Sequence, residues 1–251
     1  MPQIQIVQDA NELATRAAEF IIGAATASIA ARGRFMWALA GGSTPEKTYK
    51  LLAQPENAAR VDWAKVYVFF GDERFVAPTD GRSNYGMAQR TLLGRVPIPA
   101  SHIFAVPTHL ASVEKAAEAY NDTLPGAFAP DKRGEAPRFD LILLGLGDDG
   151  HTASLFPGAP SLQVRDRWVV DSPPGTLPPP VDRITFTFPV LNAAYRVALL
   201  VAGDNKAEAV RDVLEGNAAV ESRPAAGVRP EQGELTWLLD TAAAKLLSKE
   251  N

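Results

Sequence analysis

The sequence predicts an α/β protein with a doubly wound, mostly parallel sheet and helices on both faces. Two observations carry this. Short apolar runs alternate with helix-like stretches along the chain. Several of these runs are almost continuously apolar, as parallel strands covered on both faces must be. No repeat of fixed period points to another architecture.

In chain order, IQIV (4–7) alternates like a short strand. Asp9, with Glu12 three residues on, makes a capping-box-like helix start. Leu13, Ala17, Phe20, Ile21 and Ala24 then share one helical face until Gly33 supplies a stop. The following strand-like runs are FMWALA (35–40), VYVFF (66–70), IFAV (103–106), FDLILLGL (139–146), WVV (168–170), ITFTF (184–188) and VALLVA (197–202). Helices are expected between them over 45–54, 84–94, 112–124 and 205–215. The segment DSPPGTLPPPVDR (171–183) holds five prolines. It is read as a surface connection, with a semi-rigid flap over a site as the alternative. It is too short to divide the chain, so residues 1–251 are expected to form one domain.

With 46% hydrophobic and 22% charged residues, the 251-residue chain has the composition of a soluble globular protein. A formal net charge of −4 argues against nucleic acid or an anionic membrane as partner, so an anionic substrate would need local donors. The absence of cysteine removes disulfides, thiolate metal sites and a thiol nucleophile. The first residues, MPQIQIVQDANE, show neither a basic n-region nor an apolar h-region. No uninterrupted apolar run approaches the ~18 residues of a membrane span. A cytoplasmic location is expected.

Four strand ends carry chemistry. After FDLILL comes GLGDDGHT (145–152), which matches the dinucleotide fingerprint G-x-G-x-x-G. Asp171, about twenty residues on, even imitates the ribose-binding acid. Two carboxylates, however, would oppose a pyrophosphate at a helix N-terminus, and Pro157 and Pro160 cut short any helix that follows. Beside His151 the carboxylates make sense, because one can fix the imidazole tautomer and stabilise the protonated ring. After FMWALA, Gly41-Gly42-Ser43-Thr44-Pro45 forms a tight turn whose serine or threonine can cap a helix with Pro45 at its first position. Such a turn offers free N–H groups to a phosphate, without the spacing of a nucleoside-triphosphate loop. After VYVFF stands the acid pair with arginine Asp72-Glu73-Arg74, and after VALLVA stands Lys206. Carboxyl ends of strands in such a sheet converge on one crevice. Together these residues describe a cleft for a small phosphorylated molecule with an acid/base histidine. His102 and His109 are assigned no role.

These segments carry a resemblance over nearly the whole chain. LAGGSTPEKTY (39–49), FFGDERFVAPTDGRSNYGMAQRTLL (69–93), FDLILLGLGDDGHTASLFPG (139–158), DRITFTFPVLNAA (182–194), VAGDNKAEAV (201–210) and ELTWLLDTAAA (234–244) resemble the 6-phosphogluconolactonase family. The resemblance implies a Rossmann-like α/β fold shared with glucosamine-6-phosphate deaminases and ribose-5-phosphate isomerases. It also implies hydrolysis of 6-phospho-D-glucono-1,5-lactone to 6-phosphogluconate, with no bound cofactor and no metal. The catalytic histidine would be His151, with Asp149 as its adjacent acid and Arg74 and Asp72 as further catalytic candidates. Phosphate and lactone would be held by Gly41, Gly42, Ser43, Thr44, Arg74 and Lys206, with Arg183 as an additional contact. The oxyanion donors would be Arg74 or loop N–H groups. The expected partner is a small phosphorylated sugar lactone, and the expected state a monomer or weak homodimer. The related deaminases usually read DEY where this chain has Asp72-Glu73-Arg74. They also place a carboxylate five residues after the histidine, where this chain has Phe156. Both differences favour the lactonase branch.

Overall fold

The computed structural model describes residues 2–128, 135–174 and 180–248. β1 (Gln3–Val7) leads into the long helix α1 (Ala10–Arg32). The Asp9 carboxylate accepts the N–H groups of Asn11 and Glu12, and Glu12 reaches back to the N–H of Gln8. Gly33 closes the helix at φ +73°, a left-handed conformation that glycine adopts without penalty. By length and composition α1 could cross a membrane, but half of its apolar window is packed inside the molecule, as in a core helix.

There follow β2 (Phe35–Leu39), α2 (Ser43–Leu52), α3 (Pro55–Ala58), β3 (Val66–Phe70), β4 (Asp72–Arg74) and α4 (Asn84–Ala88). Then come α5 (Val113–Phe128), β5 (Leu141–Leu144), β6 (Val169–Ser172), β7 (Arg183–Phe186) and α6 (Phe188–Ala193). β8 (Arg196–Val201), α7 (Ala207–Leu214) and β9 (Glu234–Asp240) complete the described elements.

Six strands form a fully parallel sheet in the order β1-β9-β8-β5-β2-β3. Leu13 and Ala17 of α1 pack on Leu200 and Leu238. Trp237, one residue earlier on β9, borders Val213 and Leu214 of α7 instead. Successive strand residues point to opposite faces, so helices cover both sides of the sheet.

A second, antiparallel sheet runs β4-β7-β6. The expected strands WVV and ITFTF therefore lie outside the parallel sheet. Their apolar content reflects burial under α5 and against the main sheet, where Phe139 and Phe186 meet at 5.2 Å between ring centroids. Because β6 and β7 are antiparallel neighbours, the Pro-rich segment is the connection between them. Its residues 175–179, on which the flap alternative rests, lie outside the described residues.

IFAV does not form a strand; Ile103 makes a single bridge to Val68 at the sheet edge. β9, inserted between β1 and β8, was not expected as a strand, although ELTWLLD is almost wholly buried.

Candidate active site

The strand order reverses between β2 and β5, and at such a switch point the chains leaving the strand ends diverge and open a crevice. Here the crevice is a cleft of about 190 Å³. Gly41, Gly42, Asp72, Arg74, Asn84, Asp148, His151 and Lys206 are among its lining residues. Four strand ends therefore contribute to one space.

The turn after β2 is tied by a buried side chain. The Tyr49 hydroxyl accepts the N–H of Ala40 at 3.0 Å and donates to its carbonyl at 2.9 Å. Burial pushes this phenol well above its ordinary range. Gly41 leaves room for Asn84, since a Cβ there would lie 1.9 Å from Asn84 Oδ1 and force that side chain to move. Gly42 sits at φ +103° and serves as the N-cap of α2, with no side-chain capping bond. This corrects the expected start of the helix: α2 begins at Ser43, Pro45 is its third residue, and neither Ser43 nor Thr44 caps through its side chain. Their N–H groups belong to the first turn, which has no intrahelical acceptors. The cleft lining stops at Gly42, one residue before them.

On β4 the strand period of two separates the three residues. Asp72 and Arg74 line the cleft, while Glu73 points the other way and is 1% exposed. Its carboxylate accepts the N–H groups of Arg74, Asn84 and Tyr85 at 2.7–2.8 Å and the Ser83 hydroxyl at 3.2 Å. Burial raises its pKa above the ordinary value despite these bonds. Glu73 is thus scaffold, and what it holds is the start of α4. From there the Asn84 Nδ2 donates to the carbonyl of Asp72 at 2.9 Å and to its Oδ1 at 3.3 Å. The Tyr120 hydroxyl ties the end of β3 by accepting the N–H of Phe70, much as Tyr49 ties β2.

Arg74 stands directly across from Arg183 in the β4–β7 ladder. Arg74 donates from Nη1 to the carbonyl of Arg82 at 2.7 Å, and the Nε atoms of both arginines are buried without a partner among the described residues. Burial, then the neighbouring charge of Arg74, lowers the pKa of the Arg183 guanidinium, against the pull of Asp72 and Glu73. Arg183 is 8% exposed and stands behind the cleft lining.

The loop after β5 turns back sharply: Gly147 N–H donates to the His151 carbonyl, and Gly150 N–H to the Gly147 carbonyl. His151 Nδ1 lies 2.6 Å from Asp149 Oδ1, which also accepts the His151 backbone N–H at 3.0 Å. Burial pushes the Asp149 carboxyl up, but the bonds from His151 outweigh it and hold the pKa below the ordinary value. An ionised carboxylate only accepts, so the proton of a neutral ring resides on Nδ1 and Nε2 carries the free lone pair. Gly147 makes room for this pair, since a Cβ there would come within 2.0 Å of Nδ1. The Phe156 ring, 4.8 Å from the imidazole between centroids, supplies an apolar wall. Asp148, the other carboxylate of GLGDDGHT, is exposed at the cleft instead of paired to the histidine.

No helix follows Gly150, so the fingerprint lacks the helix N-terminus that would hold a pyrophosphate. The chain instead forms a narrow turn, with Ala153 at φ +47° and Thr152 bridged to Leu155. This turn brings the Ser154 hydroxyl 2.7 Å from Asp72 Oδ2. Asp171, the ribose-acid mimic, lies in the antiparallel sheet.

Lys206 closes a short 3₁₀ turn after β8, its N–H donating to the Gly203 carbonyl at 3.2 Å, while its ammonium has no ion pair or hydrogen bond among the described residues. Its turn is anchored by Asp240 at the end of β9, whose carboxylate accepts the N–H of Gly203 at 3.1 Å. His102 stacks on Tyr67 and His109 lines another hollow, so neither belongs to this cleft. Among the described residues, no three His, Asp or Glu side chains converge to hold a metal ion.

Of the expected site residues, Gly41, Gly42, Asp72, Arg74, His151 and Lys206 line one cleft, and Asp149 lies immediately behind His151. Ser43 and Thr44 follow in the chain at the start of α2 and are not among the lining residues. Sequence reasoning missed Asn84, Ser154 and the two tyrosine ties. For Asn84 a signal existed in the SNYG segment; the others required the packed fold.

Comparison with known proteins identifies the family. A family model described as glucosamine-6-phosphate isomerases/6-phosphogluconolactonase matches residues 8–237. A 6-phosphogluconolactonase of Nostoc sp. is 42% identical over 245 residues, covering 98% of each chain. A probable 6-phosphogluconolactonase 2 of Oryza sativa is 40% identical, over 99% of this chain and 91% of the relative. Among solved structures, 6-phosphogluconolactonase from Trypanosoma brucei superposes with a TM-score of 0.89 at 31% identity, covering 99% of both chains. The chain belongs to the family of glucosamine-6-phosphate isomerases and 6-phosphogluconolactonases.

Proposed function

We propose that this protein hydrolyses 6-phospho-D-glucono-1,5-lactone to 6-phospho-D-gluconate, a step of the oxidative pentose phosphate pathway, as one cytoplasmic α/β domain. The observation that carries the reading is the His151–Asp149 pair at 2.6 Å, facing a cleft that also holds Gly41, Gly42, Arg74 and Lys206. In this reading the phosphate docks on the free N–H groups of the Gly41–Thr44 turn and on Lys206. This remote binding orients the ring and lowers the entropic part of the barrier. His151 Nε2 takes a proton from water as its oxygen attacks lactone C1, while Asp149 stabilises the imidazolium. Collapse of the tetrahedral intermediate breaks the bond from C1 to the ring oxygen, which receives the proton from His151. The N–H groups of Gly147 and Gly150 are spent within their own loop, which favours Arg74 over those two groups as oxyanion donor. Arg183 backs Arg74 with a second positive charge. Asp72, fixed by Ser154 and Asn84, is assigned as the acceptor that orients the attacking water or a sugar hydroxyl.

Phe156 beside the imidazole supports hydrolysis over the isomerase branch, because no carboxylate stands there to assist sugar-ring opening. The lactone also opens spontaneously, so the test is the rate on freshly generated lactone against an enzyme-free control. A rate equal to the control would refute the proposal.

A further inference from the structure

Asn84 is 3% exposed and lies in the cleft lining, and in the chemistry above only its Nδ2 is used, as a tether of Asp72. The Asn84 backbone N–H is bound to buried Glu73 at 2.8 Å, its Nδ2 donates to two oxygens of Asp72, and its carboxamide occupies the space that a Cβ on Gly41 would need. Both Asp72 oxygens act as acceptors, so the nitrogen of the amide must face them. Oδ1 therefore points the other way, beside Gly41. It accepts no hydrogen bond among the described residues.

From this geometry, and resting on the lactonase reading, we infer that Asn84 determines specificity: its Oδ1 accepts a hydrogen bond from one ring hydroxyl of the sugar lactone. Asn84 stands between the turn assigned to the phosphate and Asp72. A ligand spanning from phosphate to ester carbon passes this point with its hydroxyl-bearing carbons. A neutral acceptor with its nitrogen already committed selects a hydroxyl donor and cannot rotate to suit another group. Sites built in this way discriminate strongly against analogues that lack the hydroxyl, because the buried polar group is then left unpaired.

The test is a cycle of wild type and Asn84→Ala against 6-phosphogluconolactone and its 2-, 3- and 4-deoxy analogues, read as kcat/KM above the enzyme-free rate. Asn84→Ala is expected to lose about tenfold or more on the parent lactone. One deoxy analogue should cost wild type a similar factor and cost Asn84→Ala nothing further, since the two changes delete the same bond. The other analogues should cost both enzymes equally. If every analogue costs the variant as much as it costs wild type, Asn84 only tethers Asp72 and the inference is overturned while the activity stands. If wild type itself does not exceed the blank, the activity falls and this inference with it. Asn84→Ser, smaller but still polar, serves the same cycle should the alanine variant not fold.

Discussion

His151 and Asp149 are two residues apart, and their geometry depends on the atoms between and around them. Replacing His151 by alanine should lower kcat by about a hundredfold or more with little change in KM, measured by stopped assay on fresh lactone. The same variant should release Asp149. Its carboxyl is held below the ordinary range by bonds from His151, so in His151→Ala its titration should move back up, as carboxyl NMR would read. The sign for stability follows: a lowered folded pKa contributes stability above the ordinary carboxyl range, lost as pH falls through the folded value. The acid limb of unfolding should therefore be less steep in the variant. Gly147→Ala should disturb the same pair from the other side, since its Cβ would meet the imidazole at 2.0 Å. We expect a larger loss in kcat than in thermal stability.

At the scale of elements, two strands are finished in the same way. Tyr49 and Tyr120 are fully buried, and each hydroxyl binds the last backbone groups before a glycine turn into the cleft. Tyr49→Phe keeps the ring but removes the hydroxyl that pairs the N–H and carbonyl of Ala40. A loss of about 1–3 kcal/mol is expected, read by chemical denaturation, with a rise in KM if the Gly41–Thr44 turn shifts. Elements were legible where their signals are local. Asp9 and Gly33 bounded α1 from the sequence because capping is chemistry among neighbours. The start of α2 was misplaced by two residues because Gly42, lacking a capping side chain, leaves no local mark. β4 is three residues long and carries charged groups, so no periodicity could announce it.

For the whole molecule, the strand order gathers Lys206 after β8, His151 after β5, the glycine turn after β2 and the DER strand after β3 around one switch point. The net charge is −4, so anion binding here rests on local cations and free N–H groups, and removing one should be felt. Lys206→Ala is expected to raise KM strongly with a smaller effect on kcat, because the phosphate is bound alike in ground and transition states. An unchanged KM would place the phosphate elsewhere. 6-Phosphogluconate should raise the melting temperature in proportion to the logarithm of its concentration, whereas NAD(P) should not.

The sequence by itself determined the alternation of strands and helices, the identity of the chemical residues and their place at strand ends. These follow from periodicity, capping and side-chain chemistry, which act over a few neighbouring positions. Only the tertiary structure decided that Asp148 stays exposed at the cleft, and that Glu73 is scaffold while its neighbours face the cleft. It alone placed β9 inside the sheet and Asn84 over Gly41. Those outcomes depend on contacts between segments far apart in the chain, whose free energy is settled by close packing and by the pairing of buried polar groups.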